Sequence, residues 1–169
     1  FHELDAGEVM VPRVRIRGLP IEAGADEVVE ILRSLRHTRY PIYDGDLDHI
    51  VGYVHVKDLL QRVIAGSTFM PEDVQPVAYL PETAPADAVL EAMHEAQTEM
   101  VVVMDEHGGT AGIVVLEDLF EEVVGQLEEG MAMQPEIYED AGGHLHAAGT
   151  ARLDEVGERL GRTLEHAEV

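Results

Sequence analysis

The hydrophobic pattern of this chain is organised around a short β-branched run that turns directly into an acidic helix with an apolar face. Residues 112–124 show this pattern: an opening glycine, an apolar strand, Asp118, and apolar residues at three- and four-residue spacing. The same order occurs in residues 52–64, where Asp58 takes the corresponding position. Short β-branched runs favour strands, and a period near 3.6 predicts helices. The chain therefore contains a strand-to-helix unit twice.

The rest of each unit repeats as well. In the first copy, helical spacing predicts a helix over roughly 25–36, and two extended runs, 39–43 and 50–55, predict a hairpin. Asp26, near the start of that helix, has its counterpart in Asp87 of the second copy. Beyond the second hairpin turn, the number of residues that separates counterparts in the two copies falls by one. A single deletion in that turn of a tandem repeat would produce this change.

These units predict a fold class and an order of domains. The fold class is α/β, or more loosely α+β, with two tandem motifs that pack against each other pseudo-symmetrically because neither encloses a full core alone. An entry segment covers residues 1–13, the first motif residues 8–66 and the second residues 67–130. The pattern then changes, and residues 136–169 predict the hairpin and helix of a further domain that is cut short.

Composition limits the functions that the chain can have. Its 169 residues include 34 acidic and 11 basic side chains, and the formal charge of -23 would repel a phosphate backbone, so nucleic-acid binding is not expected. The chain has no cysteine, which excludes a disulfide framework and a thiolate metal site. No apolar run approaches the roughly 20 residues of a membrane-spanning helix, which predicts a soluble chain. Because it begins at Phe1 without a methionine, we expect a piece of a longer protein.

Two runs carry a resemblance to a known family: residues 50–60, IVGYVHVKDLL, and residues 105–118, DEHGGTAGIVVLED. The tandem units resemble a pair of cystathionine-β-synthase (CBS) motifs. Within that superfamily, the two runs and the entry segment Val9-Met10-Val11-Pro12-Arg13 are similar to the CorC/HlyC/cyclin M family of magnesium transport proteins. The resemblance implies a cytosolic regulatory module between an N-terminal transmembrane domain and a C-terminal transporter-associated domain, which residues 136–169 would begin.

The resemblance implies Mg-ATP as the ligand and assigns residues to its pocket. Asp118, at the start of the second acidic helix, would accept hydrogen bonds from both ribose hydroxyls. Arg39, within the positive cluster Arg36-His37-Thr38-Arg39, matches the family's arginine that reaches the phosphates. The strand residues Ile113 and Val115 would contact the adenine. The other predicted pocket residues are Glu117, Thr38, Tyr40, Val11 and Arg13.

The two repeats are not equivalent in the residues that would bind phosphate. The second repeat has Glu99-Met100-Val101 around the place where the first has Thr38-Arg39-Tyr40. A pocket built on Asp58 would therefore lack a phosphate-binding arginine. We expect one nucleotide per chain, bound by Asp118 of the second repeat and Arg39 of the first.

The resemblance also implies a homodimer formed through the motif pair. Glu121 and Glu122, on the helix after Asp118, are candidate cation-sensing acids that would approach their symmetry mates in such a dimer. Bound cation would reduce their repulsion and favour a closed arrangement. The expected Mg²⁺ itself would be held through the ATP phosphates.

No catalytic motif occurs in the sequence, which has no glycine-rich phosphate loop, no nucleophile elbow and no obvious carboxylate dyad, so we predict that the chain is not an enzyme. Two alternatives stay open. The chain could be an adenylate-sensing regulatory module of a soluble enzyme, which the segment preceding Phe1 would reveal. It could also be a ligand-free structural dimerisation module, which calorimetry with ATP would reveal.

Overall fold

The computed structural model describes residues 3–34 and 36–132, with the backbone alone for residues 131 and 132. The helices are α1 (Ala6–Val9), α2 (Ala25–Leu32), α3 (Val56–Ile64), α4 (Ala86–Ala96) and α5 (Leu116–Ala132). The strands are β1 (Val11–Pro12), β2 (Leu19–Pro20), β3 (Arg39–Tyr43), β4 (Ile50–His55), β5 (Ala78–Pro81), β6 (Met100–Met104) and β7 (Thr110–Val115). Single 3-10 turns cover Arg13–Arg15 and Pro71–Asp73.

The two repeats have the same topology, β2-α2-β3-β4-α3 and β5-α4-β6-β7-α5. Each begins with a parallel strand pair and continues with an antiparallel hairpin that leads into a helix. Leu19 lies opposite Ile42 in the first repeat, and Leu80 lies opposite Val103 in the second. Leu80 follows Leu19, and Val103 follows Ile42, by the same number of residues that separates Asp26 from Asp87. The predicted fold class, with two tandem α/β units, is confirmed.

In each repeat, one strand of the hairpin pairs with an extended segment that comes from outside that repeat. β1, in the entry segment, pairs with β7 of the second repeat, with Val11 opposite Ile113. The connector between the repeats pairs with β4 of the first repeat, where Tyr53 and Gln75 exchange two backbone hydrogen bonds of 3.0 and 2.7 Å. The resulting sheets have the strand orders β1-β7-β6-β5 and β2-β3-β4.

The crossing segments explain why a glycine recurs in each unit. A Cβ atom on Gly112 would lie 2.4 Å from the carbonyl oxygen of Val11, and one on Gly52 would lie 2.4 Å from the carbonyl oxygen of Gln75. Because both obstacles are backbone atoms, they cannot move aside as a flexible side chain would. Glycine at these two positions therefore allows the crossing segments to approach the hairpins.

Three hydrophobic clusters stabilise the fold. One lies within the first repeat around Val28 and Leu59, and another lies within the second around the corresponding residues Val89 and Leu119. Each of these four side chains is at most 1% exposed. The third cluster joins the repeats and consists of Ile16, Ile50, Tyr53, Met100, Val102 and Ile113. Burial of these apolar faces packs the two units against each other.

One predicted helix is shorter than expected. The sequence predicts a helix over 25–36, whereas α2 covers Ala25–Leu32. At its end the backbone N–H of Arg33 donates to the oxygen of Glu30 at 3.3 Å, a three-residue contact that replaces the four-residue helical one. Residues 33 and 34 form a turn, and the chain is thereby redirected toward β3.

The short helix α1 was not predicted, although its capping signal is present in the sequence. The N–H of Glu8 donates to the Asp5 carboxylate at 2.9 Å, and the N–H of Asp5 donates to the Glu8 carboxylate at 3.3 Å. This reciprocal pair is a capping box. The N–H of Ala6 also donates to the oxygen of Ala84 at 2.8 Å, so the entry segment lies on the second repeat.

Residues 133–169 lie outside the described part of the chain, and the predicted further domain at 136–169 falls among them. Of the helices that the structure describes, none combines the length and the apolar character needed to cross a membrane.

Candidate functional site

A cleft of about 240 Å³ lies between the repeats, where the entry segment, the loop before β3 and the junction of β7 with α5 meet. We refer to it as the first cleft. The structure brings most of the predicted pocket residues together there. Those that line it are Val11, Thr38, Arg39, Ile113, Val115, Glu117 and Asp118.

The junction of β7 with α5 supplies one wall of the first cleft. Ile113 and Val115 are two residues apart on β7, and side chains two apart in a strand point to the same face. α5 begins at the next residue, so Glu117 and Asp118 lie in its first turn. The N–H of Leu116 donates to the backbone oxygen of Glu99 at 3.0 Å, which fixes the start of α5 against the second repeat's own loop.

Tyr40 does not line the first cleft, contrary to the sequence-based assignment. Arg39 and Tyr40 are neighbours on β3, and adjacent residues of a strand point to opposite faces. Arg39 faces the cleft, while Tyr40 is completely buried in the first repeat's core with Val54 and Leu59. The Tyr40 ring also makes an edge-on contact with His37, with ring centroids 5.9 Å apart.

Arg13 is likewise not among the residues that line the first cleft. Its guanidinium pairs with Asp48 and donates to the backbone oxygen of Thr110 at 3.2 Å. Asp48 in turn accepts from the N–H of Thr110 at 2.9 Å. The hydrogen bond from Arg13 lowers the pKa of the Asp48 carboxyl. Arg13 therefore connects the entry segment, the first hairpin loop and β7, which is a structural role.

Three cleft residues, Arg15, Ile16 and Arg17, were missed in the sequence analysis. With Arg36 and Arg39, they place four arginines around one cleft, in a chain that has 11 basic residues in all. The signal that could have found them is the alternation of arginine with apolar residues at positions 13–17, the densest positive run in the sequence. Only the pairing of β1 with β7 brings that run to the cleft.

Arg39 is held at the boundary between the repeats by two acids of the second repeat. One of its terminal nitrogens pairs with Glu117 and the other pairs with Glu99. The side chain of Arg39 is only 9% exposed, while both acids are about half exposed. Burial lowers the pKa of Arg39, but the hydrogen bonds and charges of Glu117 and Glu99 outweigh it, and the net pKa is raised. Arg39 is therefore a fixed cation.

Asp118 is the carboxylate most affected by the cleft. Burial raises the pKa of its carboxyl above the ordinary value, and the negative charges of Glu121 and Glu117 add to the shift. His37 acts in the opposite direction. A carboxylate that has lost part of its water shell in this way gains from hydrogen-bond donors supplied by a ligand, such as a pair of hydroxyls.

The candidate cation-sensing acids Glu121 and Glu122 follow Asp118 on α5 and are exposed. Within residues 3–34 and 36–132, no three His, Asp or Glu side chains are grouped so that they could hold a metal ion. The first cleft thus combines an apolar strand face, the partly buried carboxylate of Asp118 and a group of arginines. This combination suits a ligand with a flat apolar part, a polar middle and an anionic end.

A second cleft, of about 520 Å³, lies on the other side of the pseudo-symmetric pair and is built around Asp58. Its lining residues are Tyr53, His55, Asp58, Gln75, Leu90, Met93, Gln97, Thr98, Glu99 and Leu116. Among the described residues, no arginine or lysine belongs to this lining. The lack of an arginine in this described lining agrees with the sequence comparison of the two repeats.

Comparison with known proteins gives a consistent result. The sequence profile of the CBS domain family matches residues 6–65 and 72–125. The UPF0053 protein YhdP of Bacillus subtilis (strain 168) is 34% identical over 175 residues, which is 100% of this chain and 39% of that protein. The magnesium and cobalt efflux protein CorC of Vibrio cholerae is 34% identical over 131 residues, which is 75% of this chain and 44% of that protein. The chain thus spans about two fifths of the length of these relatives.

A solved structure is similar to most of the chain. It is the CBS domain of a bacterial CNNM/CorC family Mg²⁺ transporter in complex with ATP, with 36% sequence identity and a TM-score of 0.62. The similarity covers 72% of this chain and 87% of that one.

Proposed function

The chain belongs to the CBS domain family, and we propose that it is the regulatory module of a magnesium or related divalent-cation transport protein, with Mg-ATP bound in the first cleft. Two relatives support this proposal: one is named a magnesium and cobalt efflux protein, and the other is a Mg²⁺ transporter domain in complex with ATP. The role is regulatory and not enzymatic.

The observation that carries the proposal is the charge of the first cleft. The chain has a formal charge of -23, yet four of its 11 basic residues line this one cleft. Arginine presents several N–H groups in a planar fork that matches phosphate oxygens. Such a concentration of arginine in an acidic chain favours an anionic ligand over the alternative of a ligand-free structural module.

The residues divide the proposed ligand into three parts. The adenine contacts Ile113 and Val115, whose strand backbone also offers hydrogen-bonding groups. Asp118 accepts hydrogen bonds from the ribose hydroxyls. The phosphates extend toward Arg39 and the other cleft arginines. Because Arg39 comes from the first repeat and Asp118 from the second, the bound nucleotide bridges the two units.

Mg²⁺ is proposed to bind together with the nucleotide. Magnesium retains several waters and commonly uses substrate phosphate oxygens as ligands. Glu117 is half exposed, lines the cleft and pairs with Arg39, so it would lie beside such a phosphate-bound cation. The ion would reduce the charge of the polyphosphate beside that acid.

Isothermal titration calorimetry with ATP, with and without Mg²⁺, tests the proposal. We expect one nucleotide per chain, tighter binding with Mg²⁺, and a loss of roughly tenfold or more in affinity for Asp118→Ala, because a charge-assisted hydrogen bond is removed. Asp58→Ala is the matched control, since it removes the corresponding carboxylate of the other repeat. Equal losses in both variants, or no ATP binding to the wild type, would contradict the proposal.

We also propose that the module forms a homodimer through α3 and α5. Leu60 on α3 and Phe120 on α5 are separated by the same interval as Asp58 and Asp118, and they are 41% and 42% exposed. Ile64, one turn after Leu60, is 85% exposed. Equivalent helices of both repeats therefore present apolar side chains to solvent, as a self-complementary contact requires.

Light scattering coupled to gel filtration tests the dimer. Leu60→Glu and Phe120→Glu are expected to shift the chain toward a monomer, because each introduces a charge into an apolar contact. Ile21→Glu is the matched control, since Ile21 is 48% exposed and lies on neither helix. A wild-type monomer at high concentration would argue against the dimer.

In the longer protein, the module is proposed to lie on the cytoplasmic side of the membrane, next to an N-terminal transmembrane domain of the same chain. Nucleotide that binds one dimer arrangement better than another would shift the population toward it. That difference in affinity is the free energy available to regulate transport.

A further inference from the structure

Glu99 is an acid of the second repeat that reaches the buried cation of the first. Its counterpart in the first repeat is Thr38, and the two residues have the same backbone role. The oxygen of Thr38 accepts from the N–H of Val56 at 2.7 Å, and in the same way the oxygen of Glu99 accepts from the N–H of Leu116 at 3.0 Å. Of these two positions, only that of the second repeat carries a carboxylate, and it pairs with Arg39. This ion pair therefore departs from the symmetry of the repeats.

Arg39 binds two acids with one guanidinium. Its side chain is 9% exposed, and its two terminal nitrogens pair with Glu117 and with Glu99. Its Nε is buried and has no acceptor among the described residues. Glu117 belongs to the lining of the first cleft, whereas Glu99 belongs to the lining of the second. Arg39 is thus held by one acid of each cleft.

The two acids differ in what they add to the first cleft. The guanidinium is a rigid planar group, so an ion pair with Glu117 inside the cleft is enough to orient it. The second ion pair, with Glu99, adds a further negative charge. Together the two carboxylates outweigh the single positive charge of Arg39. An anion that enters the first cleft therefore meets less positive charge than the number of arginines suggests.

Other charged groups near this contact leave Glu99 without a second cation. The other charged or titratable residues of the two linings are Arg15, Arg17, Arg36, His37 and Asp118 in the first cleft and His55 and Asp58 in the second. Arg62 interacts electrostatically with Asp58 and lies outside both linings. Within the described residues, Glu99 forms an ion pair with Arg39 alone.

We propose that Glu99 determines the nucleotide affinity of the first cleft, because its carboxylate competes with the phosphates for the positive charge of Arg39. A carboxylate and a phosphate offer the same kind of oxygen acceptor to a guanidinium. Bound phosphate must therefore share or replace the contact with Glu99, and the cleft becomes half occupied only at a higher nucleotide concentration. This inference rests on the proposed function, since it concerns the phosphates of a nucleotide bound in that cleft.

Calorimetry on Glu99→Gln tests the proposal. The substitution removes the charge and keeps the size of the side chain, so the variant should bind Mg-ATP about fivefold more tightly than the wild type at low ionic strength. Adenosine, which has no phosphate, should bind equally to both. The matched control is Glu95→Gln, which removes an exposed acid of α4 that lies in neither lining. It changes the net charge by the same amount and should leave ATP affinity unchanged.

Salt and the number of phosphates supply readouts that a purely structural role of Glu99 would not move. Because Glu99 is 48% exposed, its charge is screened, and the advantage of Glu99→Gln should shrink as NaCl is raised to about 0.5 M. The advantage should also be larger for ATP than for AMP. If Glu99 serves to position Arg39, Glu99→Gln would bind ATP more weakly, which would overturn the proposal. An unchanged ATP affinity, or an equal gain for adenosine, would overturn it too.

Failure of this proposal and failure of the proposed function give different results. If ATP binds the wild type and requires Asp118, but Glu99→Gln does not bind it more tightly, only the role of Glu99 is wrong. If ATP does not bind, inorganic tripolyphosphate probes the arginines directly. Tighter binding of tripolyphosphate to Glu99→Gln and weaker binding to Arg39→Ala would then support the competition without a nucleotide. Absence of tripolyphosphate binding as well would overturn both proposals.

Discussion

The two clefts of this protein share a backbone and differ in charge. Asp118 and Asp58 lie at corresponding helix starts, and each faces a strand crossed by an extended segment of the other repeat. Each lining also contains a glutamate, Glu117 or Glu99, but the lining around Asp118 contains four arginines and the described lining around Asp58 contains none. The comparison shows that a repeated backbone does not repeat the charge of its cleft, because the arginines lie at only one of the two junctions.

Packing constrains the buried residues at corresponding positions of the two repeats. Val28 corresponds to Val89, and Leu59 corresponds to Leu119. All four side chains are buried, and a smaller residue in place of any of them would create a cavity. The cleft residues that change charge lie at exposed positions, such as Arg36 against Gln97 and Thr38 against Glu99. One cleft therefore has an arginine-rich lining, and the described lining of the other has no arginine.

Among the substitutions that test the difference between the two clefts, Arg39→Ala is expected to have the largest effect. Loss of a buried, charged hydrogen-bond donor should weaken ATP binding by roughly 30- to 100-fold, about 2–3 kcal/mol, because phosphate then also meets Glu117 and Glu99 without their cation. Calorimetry on the purified variant measures this directly.

Arg62→Ala is the matched control for that prediction. Arg62 also pairs with two acids, donating to Asp73 at 2.8 Å and lying 3.5 Å from Glu72, but it lines neither cleft. Its removal should leave ATP affinity unchanged. Similar losses in the two variants would mean that Arg39 acts through stability and not through contact with the ligand.

The crossing segments provide the next test. Gly112→Ala and Gly52→Ala each place a Cβ atom 2.4 Å from a backbone oxygen, so each should destabilise the fold by about 1–3 kcal/mol and lower the melting temperature by several degrees. Only Gly112→Ala displaces the entry segment that lines the first cleft. It should therefore weaken ATP binding as well, whereas Gly52→Ala should not.

Thermal unfolding and ATP calorimetry on the same two preparations distinguish these effects. An equal loss of ATP affinity in both variants would show that the crossing segments act through the overall fold. Retention of full affinity in Gly112→Ala would show that the entry segment is not part of the site.

The smallest expected effect concerns the pH dependence of stability without nucleotide. Because the pKa of Asp118 is raised in the folded chain, its stabilising contribution is complete below its ordinary pKa of 3.8 and is lost as the pH rises through the folded pKa. Asp118→Asn should therefore be more stable than the wild type at neutral pH, by about 0.5 kcal/mol or less because the group is partly solvated, and equal to it in strong acid.

Asp48→Asn serves as a control of opposite sign. Arg13 lowers the pKa of Asp48, so the wild type gains stability above the ordinary pKa of 3.8 and loses it as the pH falls through the lowered folded value. Asp48→Asn should be less stable than the wild type at neutral pH. Urea titrations at several pH values measure both differences, and the same sign in both variants would contradict the assignment.

Much of the fold was predictable because it depends on local patterns. The hairpin of 39–43 with 50–55 and the helix at 56–64 follow from extended β-branched runs and from helical periodicity, both of which are properties of neighbouring residues. The nearly constant interval between the repeats placed the second copy of each element. The end of α2 was predicted less well, because a helix stops where a competing turn contact forms.

The candidate site was predictable in part. Asp118 and Arg39 were assigned through the family resemblance, at a helix start and in a positive cluster, and the structure places both in the lining of the first cleft. Tyr40 was also assigned to the first cleft, and this assignment is wrong. Side chains alternate along β3, and the Tyr40 side chain therefore lies in the core. Arg15 and Arg17 were missed, because nothing in the positive run itself indicates which strand the entry segment joins.

Local patterns in the sequence predict a tandem pair of α/β units with strand-to-helix junctions at Asp58 and Asp118, and the family resemblance adds an arginine in only one of the two expected pockets. Only the folded arrangement shows that the entry segment crosses to the second repeat, that four arginines converge there, and that Arg39 pairs with acids of both clefts. The two kinds of information act over different distances along the chain. Periodicity and capping act over a few residues, whereas convergence of charge depends on how distant apolar faces are buried together.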